Sequence, residues 1–115
     1  MQNLNLLIPK ANDYVINIVR KTAAGAVQDI TNYKYFFTAK NAYTDVDASA
    51  VISTSISTHS DPTNGVTAIT LTAVMTNVTC KDYQYDIKEV TSGSLSHTLC
   101  KGTLTVDWMT TIRTA

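Results

Sequence analysis

Several stretches of this sequence alternate apolar and polar residues with a period of two, and this pattern constrains the fold more than any other feature. The clearest stretch is 82–90, where Tyr83, Tyr85 and Ile87 alternate with charged or amide side chains. Successive side chains of a β-strand point to opposite faces of a sheet, so one set is buried and the other meets water. The chain is therefore expected to form half-buried β-strands.

The same pattern predicts six or seven strands separated by turns. The predicted strands span 13–20, 33–40, 51–58, 66–71, 82–90 and 95–108. Segment 1–12 is an N-terminal arm or a short edge strand, because Pro9 excludes pairing in the middle of a sheet. The inward-facing residues are expected to be Tyr14, Ile16, Ile18, Tyr33, Tyr35, Phe37, Ala39, Ile52, Thr54, Ile56, Ile69, Leu71, Tyr83, Tyr85, Ile87, Leu104, Val106 and Trp108.

Turn-forming residues separate these strands. In the turn 59–65, Asp61-Pro62 starts a turn and Asn64-Gly65 tolerates positive φ. Thr72 is placed to cap one helical turn, 73–77, that crosses between sheets. A break or bulge is expected near Gly102. Short strands at this spacing predict an all-β, antiparallel, immunoglobulin-like β-sandwich with one short helical crossing turn.

Composition supports one β-rich domain. The chain has 115 residues, 19 threonines and a single glutamate, Glu89. Threonine suits a half-buried pleated surface, and a chain of this length buries about two thirds of its unfolded surface. We expect a sandwich domain over 13–109 and a polar tail over 110–115. The single-domain length favours a standalone subunit.

Charge and hydropathy weigh against two classes of partner. Nine basic and nine acidic residues cancel, and no basic stripe is present to neutralise phosphates, so no nucleic-acid partner is expected. No stretch approaches the roughly 20 apolar residues of a membrane span. The start of the chain lacks the basic region and the long apolar run of a signal peptide. We therefore expect no membrane partner and synthesis in the cytoplasm.

The two cysteines are expected to be free thiols, and a disulfide is the less favoured alternative. With a turn at 91–94, Cys80 would face Thr105 and Cys100 would face Tyr85 on neighbouring strands. The two sulfurs would then lie about 16 Å apart along the strand direction, whereas a disulfide needs Cα atoms within about 7 Å. Two cysteines and two histidines also lack the spacing of a zinc site.

Other candidate chemical groups have simpler structural interpretations. Asp45 and Asp47 could contribute to a calcium site, but two carboxylates in a loop fit a structural turn better. His59 with Asp61 could suggest hydrolysis, but neighbours in one solvated turn do not converge as a triad does. His97 is expected to be exposed, opposite Lys88.

An Asn-Val-Thr glycosylation pattern at 77–79 fits a crossing turn better than a modified site. With no phosphate loop, metal spacing or nucleophile motif, we expect no catalytic, cofactor-binding or metal site and no enzymatic activity.

Exposed apolar residues suggest where contacts could form. The tyrosines with Trp108 could form a sugar-stacking platform, but most fall on the inner faces, so core packing is favoured. Phe36 and Tyr43 are predicted to lie outside the core, where either could anchor a neighbouring subunit. The candidate subunit contacts are Leu4, Leu6, Leu7, Ile8, Phe36 and Tyr43.

The first half of the chain carries a family resemblance. An alternating strand runs into Gly25, and Asp29-Ile30-Thr31 and then Phe37-Thr38-Ala39-Lys40 follow. This order resembles the immunoglobulin-like β-sandwich of tailed-phage virion proteins, notably the N-terminal domain of upper baseplate proteins.

The second half continues the resemblance, which covers about residues 13–106. Asn64-Gly65 leads into strand 66–71, a crossing turn, strand 82–90 and a closing segment at 102–106. The sequence departs from the group at 78–81, where a Pro-Gly pair is common.

The resemblance implies a non-enzymatic virion structural protein. Such a small subunit would decorate the capsid or join the baseplate or tail through strand-edge and arm contacts. Its partners would be other virion proteins and copies of itself, with assembly in the bacterial host cytoplasm. The alternative is a carbohydrate- or receptor-binding β-sandwich module.

Overall fold

The structure, a computed structural model, describes residues 2–108, and the predicted tail 110–115 lies outside this range. Two 3₁₀ turns, Asp47–Ser49 and Pro62–Asn64, flank the fifth strand. The strand segments are β1 (Gln2–Asn3), β2 (Leu6–Pro9), β3 (Tyr14–Val19), β4 (Lys34–Lys40), β5 (Ile52–Ile56), β6 (Val66–Leu71), β7 (Asp82–Val90) and β8 (Ser96–Asp107).

These strands form a large sheet and a small sheet. The large sheet has the order β1-β8-β7-β4-β5, with β2 also paired to β8, and the small sheet is β3 with β6. Segments β1 and β2 run parallel to β8 with one common register, so they form a single interrupted strand. The other pairs are antiparallel. Within residues 2–108, seven strand positions in two sheets confirm the predicted all-β sandwich.

The core lies between the inner faces of the two sheets and confirms most of the predicted alternation. Tyr35 and Phe37 of β4, Tyr85 of β7 and Leu104 of β8 are almost completely buried. The rings of Phe37 and Tyr85 stack with centroids 5.5 Å apart, which is a favourable separation for aromatic pairs. The inward residues of β3 are only half-buried because β3 is an edge strand.

Trp108 is an exception to the predicted inner face. It follows the end of β8 and is 63% exposed, so its assignment to the core was wrong. Its backbone N–H donates to the carboxylate of Asp107 at 2.8 Å. The Lys10 ammonium lies 5.1 Å from its ring centroid, so the ring packs beside the β2–β3 connection.

A hydrogen bond at the start of β7 identifies the kind of sandwich. The Tyr83 hydroxyl donates to the carbonyl of Thr79, four residues upstream, at 2.6 Å. A tyrosine bonded in this way at this corner is a hallmark of immunoglobulin folds. The order β8-β7-β4-β5 also matches the extended sheet of variable-type domains. The chain therefore has an immunoglobulin-like β-sandwich fold.

Within the N-terminal segment, residues 2–9 form an edge strand of the large sheet, as one of the two alternatives for 1–12 predicts. Leu6 pairs with Leu104 and Ile8 with Val106. Ile8 has no exposed surface. The carbonyl of Leu4 accepts a 2.6 Å hydrogen bond from the Tyr85 hydroxyl. Leu6 and Ile8 thus pack into the core of their own domain, and this removes the main support for a free assembly arm.

The crossing turn between the sheets forms as predicted. The Thr72 hydroxyl accepts a hydrogen bond from the Met75 amide at 3.3 Å, and the Thr76 amide donates to the Thr72 carbonyl at 3.0 Å. This cap and single helical turn carry the chain from β6 in the small sheet to β7 in the large sheet.

The register of β7 and β8 differs from the predicted one. The Thr91 amide bonds the Leu95 carbonyl across the turn. Cys100 therefore faces Ile87 instead of Tyr85, and His97 faces Glu89 instead of Lys88.

A bulge in β8 adds to this difference. It falls between the pairs Ile87–Cys100 and Lys88–Thr98, so Leu99 is the extra residue. The predicted site near Gly102 was wrong, since β8 continues through it. Cys80 and Cys100 are free.

Gly102 is required because the first strand passes directly over it. A Cβ atom built there would collide with the carbonyl oxygen of Leu4, which is fixed by its bond to Tyr85. The carbonyl belongs to the backbone, so it cannot rotate away as a side chain could.

We expect Gly102→Ala to lower the free energy of unfolding by about 2 kcal/mol, as overpacking commonly does. Gly93→Ala is the matched control, because the nearest atom to its added Cβ is 3.9 Å away. Urea denaturation of both variants measures the difference. Equal stability of the two variants would contradict the close approach of Leu4.

A buried ionic cluster joins the two sheets. Arg20, immediately after β3, donates from Nε to the Glu89 carboxylate at 2.8 Å and from Nη2 at 3.2 Å. The Tyr35 hydroxyl donates to the same carboxylate at 2.7 Å. Glu89 lies on β7 and Tyr35 on β4, and both are fully buried. The two planar donors of Arg20 match the carboxylate in the bidentate geometry that makes such pairs strong.

The cluster keeps Glu89 ionised. Burial opposes the charge on this carboxyl, but hydrogen bonds from Arg20 and Tyr35 outweigh it and hold the pKa below its ordinary 4.5. The same carboxylate raises the pKa of Arg20. Because the Glu89 pKa is lower in the folded state, its stabilising contribution is present above pH 4.5 and is lost as the pH falls.

We expect the wild-type protein to lose stability as the pH falls below 4.5, and Glu89→Gln to flatten this dependence. At pH 7 the variant should lose about 3 kcal/mol, because Arg20 is left without its buried counterion. Denaturant unfolding measured from pH 7 to pH 3 tests both effects. A variant with wild-type stability at pH 7 would contradict the role of this pair.

Candidate functional site

The outer face of the large sheet carries a shallow groove of about 370 Å³. Strands β4, β5 and β7 form its floor, because their outward-facing side chains lie side by side in the sheet. Phe36 and Tyr43 are the exposed aromatic side chains of this groove, and most of its other lining residues are polar or charged. The groove is lined by Phe36, Thr38, Lys40, Tyr43, Asp47, Ser53, Gln84, Tyr85, Asp86, Lys88 and Val90.

The loop after β4 holds Tyr43 over this face. Lys40 fixes the loop, since its ammonium donates to the Asp45 carbonyl at 2.8 Å and contacts the Asp47 carboxylate at 2.7 Å. The contact with Lys40 lowers the pKa of Asp47. The ammonium of Lys101 lies 5.4 Å from the Tyr43 ring centroid. Tyr43 is therefore held in place while 51% of it stays exposed.

Phe36 lies on the same face, on a central strand. It pairs with Ser55 of β5 on one side and Lys88 of β7 on the other, and it is 37% exposed. The prediction that Phe36 and Tyr43 lie outside the core is confirmed, and both residues line one groove. Their role as subunit contacts stays a prediction.

Asp86 lies between the aromatic residues, on the groove floor. It is half-buried and pairs with Thr38 on β4 and Lys101 on β8. Burial raises the pKa of its carboxyl, and the positive charges of Lys40 and Lys88 offset only part of this effect. A carboxyl whose pKa is raised by burial in a groove makes Asp86 a candidate binding residue.

The N-terminal candidate contacts lie away from the groove, on the opposite edge of the large sheet. Leu4 and Leu7 are 49% and 59% exposed, so each remains available. Leu6 is half-buried and packs against the core. Ile8 is fully buried, so its assignment as a subunit contact was wrong.

His59 is less exposed to solvent than predicted. Its Nδ1 lies 2.8 Å from the Thr67 hydroxyl and its Nε2 lies 2.8 Å from the Tyr33 carbonyl oxygen. Its ring meets that of Tyr35 edge-on at 5.5 Å. The expectation of a solvated turn was therefore wrong for His59. Its ring contacts Thr67 on β6 of the small sheet and Tyr35 on β4 of the large sheet, so it packs between the two sheets. His97 is exposed, as predicted.

The acidic loop has a structural role. The Asp45 carboxylate accepts a hydrogen bond from the Ala42 amide at 3.1 Å, and Asp47 pairs with Lys40. Within residues 2–108, no three His, Cys, Asp or Glu side chains are grouped closely enough to hold a metal ion. In the same range, no helix is long and apolar enough to cross a membrane.

Sequence reasoning did not single out Asp86 or Lys40 as members of the groove. The alternation in β7 places Asp86 on the outer face, and this signal was available. The position of Tyr43 above that face depends on the fold of the loop 41–46, which no periodic pattern encodes.

Comparisons with known proteins do not indicate a function for this chain. No protein-family model matches the sequence, and no curated protein matches it. A similar chain occurs in the crystal structure of ICOS in complex with ICOS-L and an anti-ICOS-L VNAR domain, with 11% identity and a TM-score of 0.42. The match covers 93% of this chain and 55% of that one, so the present chain spans about half of its neighbour. Function has to be inferred from the surface itself.

We expect Asp86→Asn to raise the free energy of unfolding at pH 7 by up to about 1 kcal/mol, because it removes a half-buried charge. The folded-state pKa is raised, so this gain should fade as the pH falls and the wild-type carboxyl becomes protonated. Asp82→Asn is the control, because the Thr105 hydroxyl already donates to that exposed carboxylate at 2.7 Å. Thermal unfolding at pH 7 and pH 4 measures both variants, and a loss of stability in Asp86→Asn would contradict the burial cost.

Proposed function

We propose that this protein is a non-enzymatic structural subunit that binds other protein chains, including copies of itself, through the outer face of its large sheet. The observation that carries this proposal is the shared position of Phe36 and Tyr43. Both aromatic residues are exposed on one face, on either side of a polar floor. Buried aromatic anchors surrounded by polar groups are typical of the centres of protein interfaces.

The fixed positions of Phe36 and Tyr43 also support a binding role for the groove. Tyr43 is held by the Lys40-fixed loop and by Lys101, and Phe36 stands on a central strand with neighbours on both sides. Anchors that are fixed before binding lose less conformational entropy when a partner docks. The charges on the face are mixed, with Lys88 and Lys101 beside Asp86 and Asp47, which gives the contact a defined orientation.

The setting we propose is a tailed-phage particle, where such a subunit decorates the capsid or joins the baseplate or tail. The order of strands and turns over 13–106 supports this part of the proposal. Mass spectrometry of purified particles of a phage that encodes this sequence tests it. We expect several copies per particle, and complete absence from purified particles would contradict the proposed setting.

We expect the double variant Phe36→Ala, Tyr43→Ala to weaken self-association strongly, since each interface anchor contributes about 2 kcal/mol or more, close to 30-fold in affinity. Light scattering over a concentration series measures the mass of both proteins. Val74→Ala is the control, because Val74 is 85% exposed in the crossing turn, away from the groove.

Two outcomes would contradict self-association through this face. The wild-type protein could remain monomeric at every concentration, or the double variant could associate as the wild type does.

A second candidate function is a carbohydrate- or receptor-binding module. The polar floor favours it, because Gln84, Asp86 and Thr38 offer hydrogen-bonding groups in the same groove as two exposed aromatic side chains. A glycan-binding screen separates the two functions. If the wild-type protein is monomeric and binds a glycan, and the Tyr43→Ala variant does not bind that glycan, the result would favour this second candidate.

A further inference from the structure

The small sheet has an unpaired edge at β3. The Arg20 amide donates to the carbonyl of Gly65, the residue just before β6, at 2.8 Å. Hydrogen-bonded and non-hydrogen-bonded pairs alternate along an antiparallel ladder, so the even-numbered residues of β3 face β6. The backbone groups of Val15, Asn17 and Val19 therefore point away from β6, and no strand within residues 2–108 pairs with them.

This edge borders a cleft of about 750 Å³. The cleft exists because the large sheet has more strands than the small one, so β8 and β1 extend past β3 without cover. The first strand stays on β8 and does not cross to β3, so no strand of the described part of the chain occupies the position beside β3. The bulge at Leu99 lies on the opposite wall of the cleft.

The cleft suits an extended peptide chain. Its walls include the half-buried side chains of Ile16, Ile18 and Leu99 and the partly exposed Leu4, so alternate side chains of a strand would be buried there. The Arg20–Glu89 pair closes its inner wall at the end of β3. The six residues of β3 give an edge about 20 Å long.

The charges at the two ends of β3 define the complementary strand. Asp13 precedes it, and Arg20 and Lys21 follow it, whereas the strand itself carries no charge. Arg20 is already paired with Glu89, so Lys21 is the positive charge left for a partner at this end. An antiparallel partner that carries a basic residue opposite Asp13 and an acidic residue opposite Lys21 matches both ends. Uncharged exposed edges without Pro or Lys are those that pair most readily with another chain.

We propose that this cleft accepts one extended segment from another protein chain, added antiparallel to β3 as the third strand of the small sheet. The segment is uncharged in its middle, alternates β-branched with polar residues, and has an acidic end that faces Lys21. Main-chain hydrogen bonds supply affinity in strand addition, and the side chains buried in the cleft supply specificity.

A single segment fits better than the edge of a second folded copy. If a second folded copy docked through its own β3, its large sheet would follow, because that sheet also extends past β3. It would then collide with β1 and β8 of the first copy. The site is independent of the Phe36–Tyr43 groove, which lies on the opposite side of the large sheet. Either proposal can therefore fail alone.

The probe is a capped peptide with the sequence of residues 13–21, DYVINIVRK. The peptide is expected to pair antiparallel to β3 with its asparagine opposite Asn17 of the protein. The aspartate of the peptide then faces Lys21 of the protein, and the lysine of the peptide faces Asp13 of the protein. Amide hydrogen exchange of the full chain is followed by NMR with and without the peptide. In the free protein, the amides of Val15, Asn17 and Val19 should exchange faster than those of Ile16 and Ile18.

On addition of the peptide, the three outward amides should become at least tenfold more protected, while a scrambled peptide leaves them unchanged. If no binding is detected at about 1 mM peptide, the binding free energy is weaker than roughly 4 kcal/mol, and the proposal is overturned. Binding that leaves the outward amides unprotected overturns it too.

Asn17→Pro provides a matched test, because it removes one outward N–H and leaves the bonds to β6 in place. Asn17→Ala keeps that N–H, and the side chain is exposed in both variants. We expect at least tenfold weaker peptide binding in the proline variant and unchanged binding in the alanine variant. Equal binding by the two folded variants contradicts strand addition.

If the proline variant does not fold, the exchange pattern of the wild-type protein decides alone. The Phe36→Ala, Tyr43→Ala variant should bind the peptide normally, which separates this site from the groove.

Discussion

The ion pair between Arg20 and Glu89 is the interaction on which the arrangement of the two sheets depends. Glu89 is the single glutamate of the chain and is fully buried, so its charge has to be satisfied within the protein. Arg20 and Tyr35 satisfy it from two directions, one from each sheet. Within residues 2–108 the small sheet has two strands, whose apolar residues pack into the core, and this polar contact fixes where β3 ends above β7.

The open edge and the cleft follow from the same arrangement. Arg20 holds the end of β3 against the middle of the large sheet, and β8 and β1 are left to extend beyond it. A third strand beside β3 would cover this region in a wider sandwich. The Arg20–Glu89 pair thus stabilises the middle of the domain, whereas no described strand covers the outer edge of β3. The backbone groups on that edge are available for a partner chain.

The local part of the fold was predictable from sequence because it depends on periodicity. Alternation in β4 and β7 placed their inner residues correctly, and Thr72 and Gly65 marked turns by their own chemistry. The parallel pairing of the first strand with β8 was not predictable, because its partner lies almost a whole chain away in sequence. Leu99 illustrates a second limit, since an extra residue in a strand leaves no mark in composition yet shifts the register of β7 and β8.

The candidate site was predictable in part for the same reason. Phe36 and Tyr43 were recognised as apolar side chains outside the core, whereas their convergence around Asp86 depends on the loop that Lys40 fixes. The ionic cluster was missed because Arg20 and Glu89 are ordinary surface residues in sequence and become partners only when the sheets meet.

A double-mutant cycle on this pair tests the central claim most directly. Arg20→Met and Glu89→Met should each be strongly destabilising, because each leaves an unpaired charge, while the double variant should be at least as stable as either single one. The expected coupling free energy is about 2 kcal/mol or more. Two single effects that simply add in the double variant would show that the pair does not join the sheets.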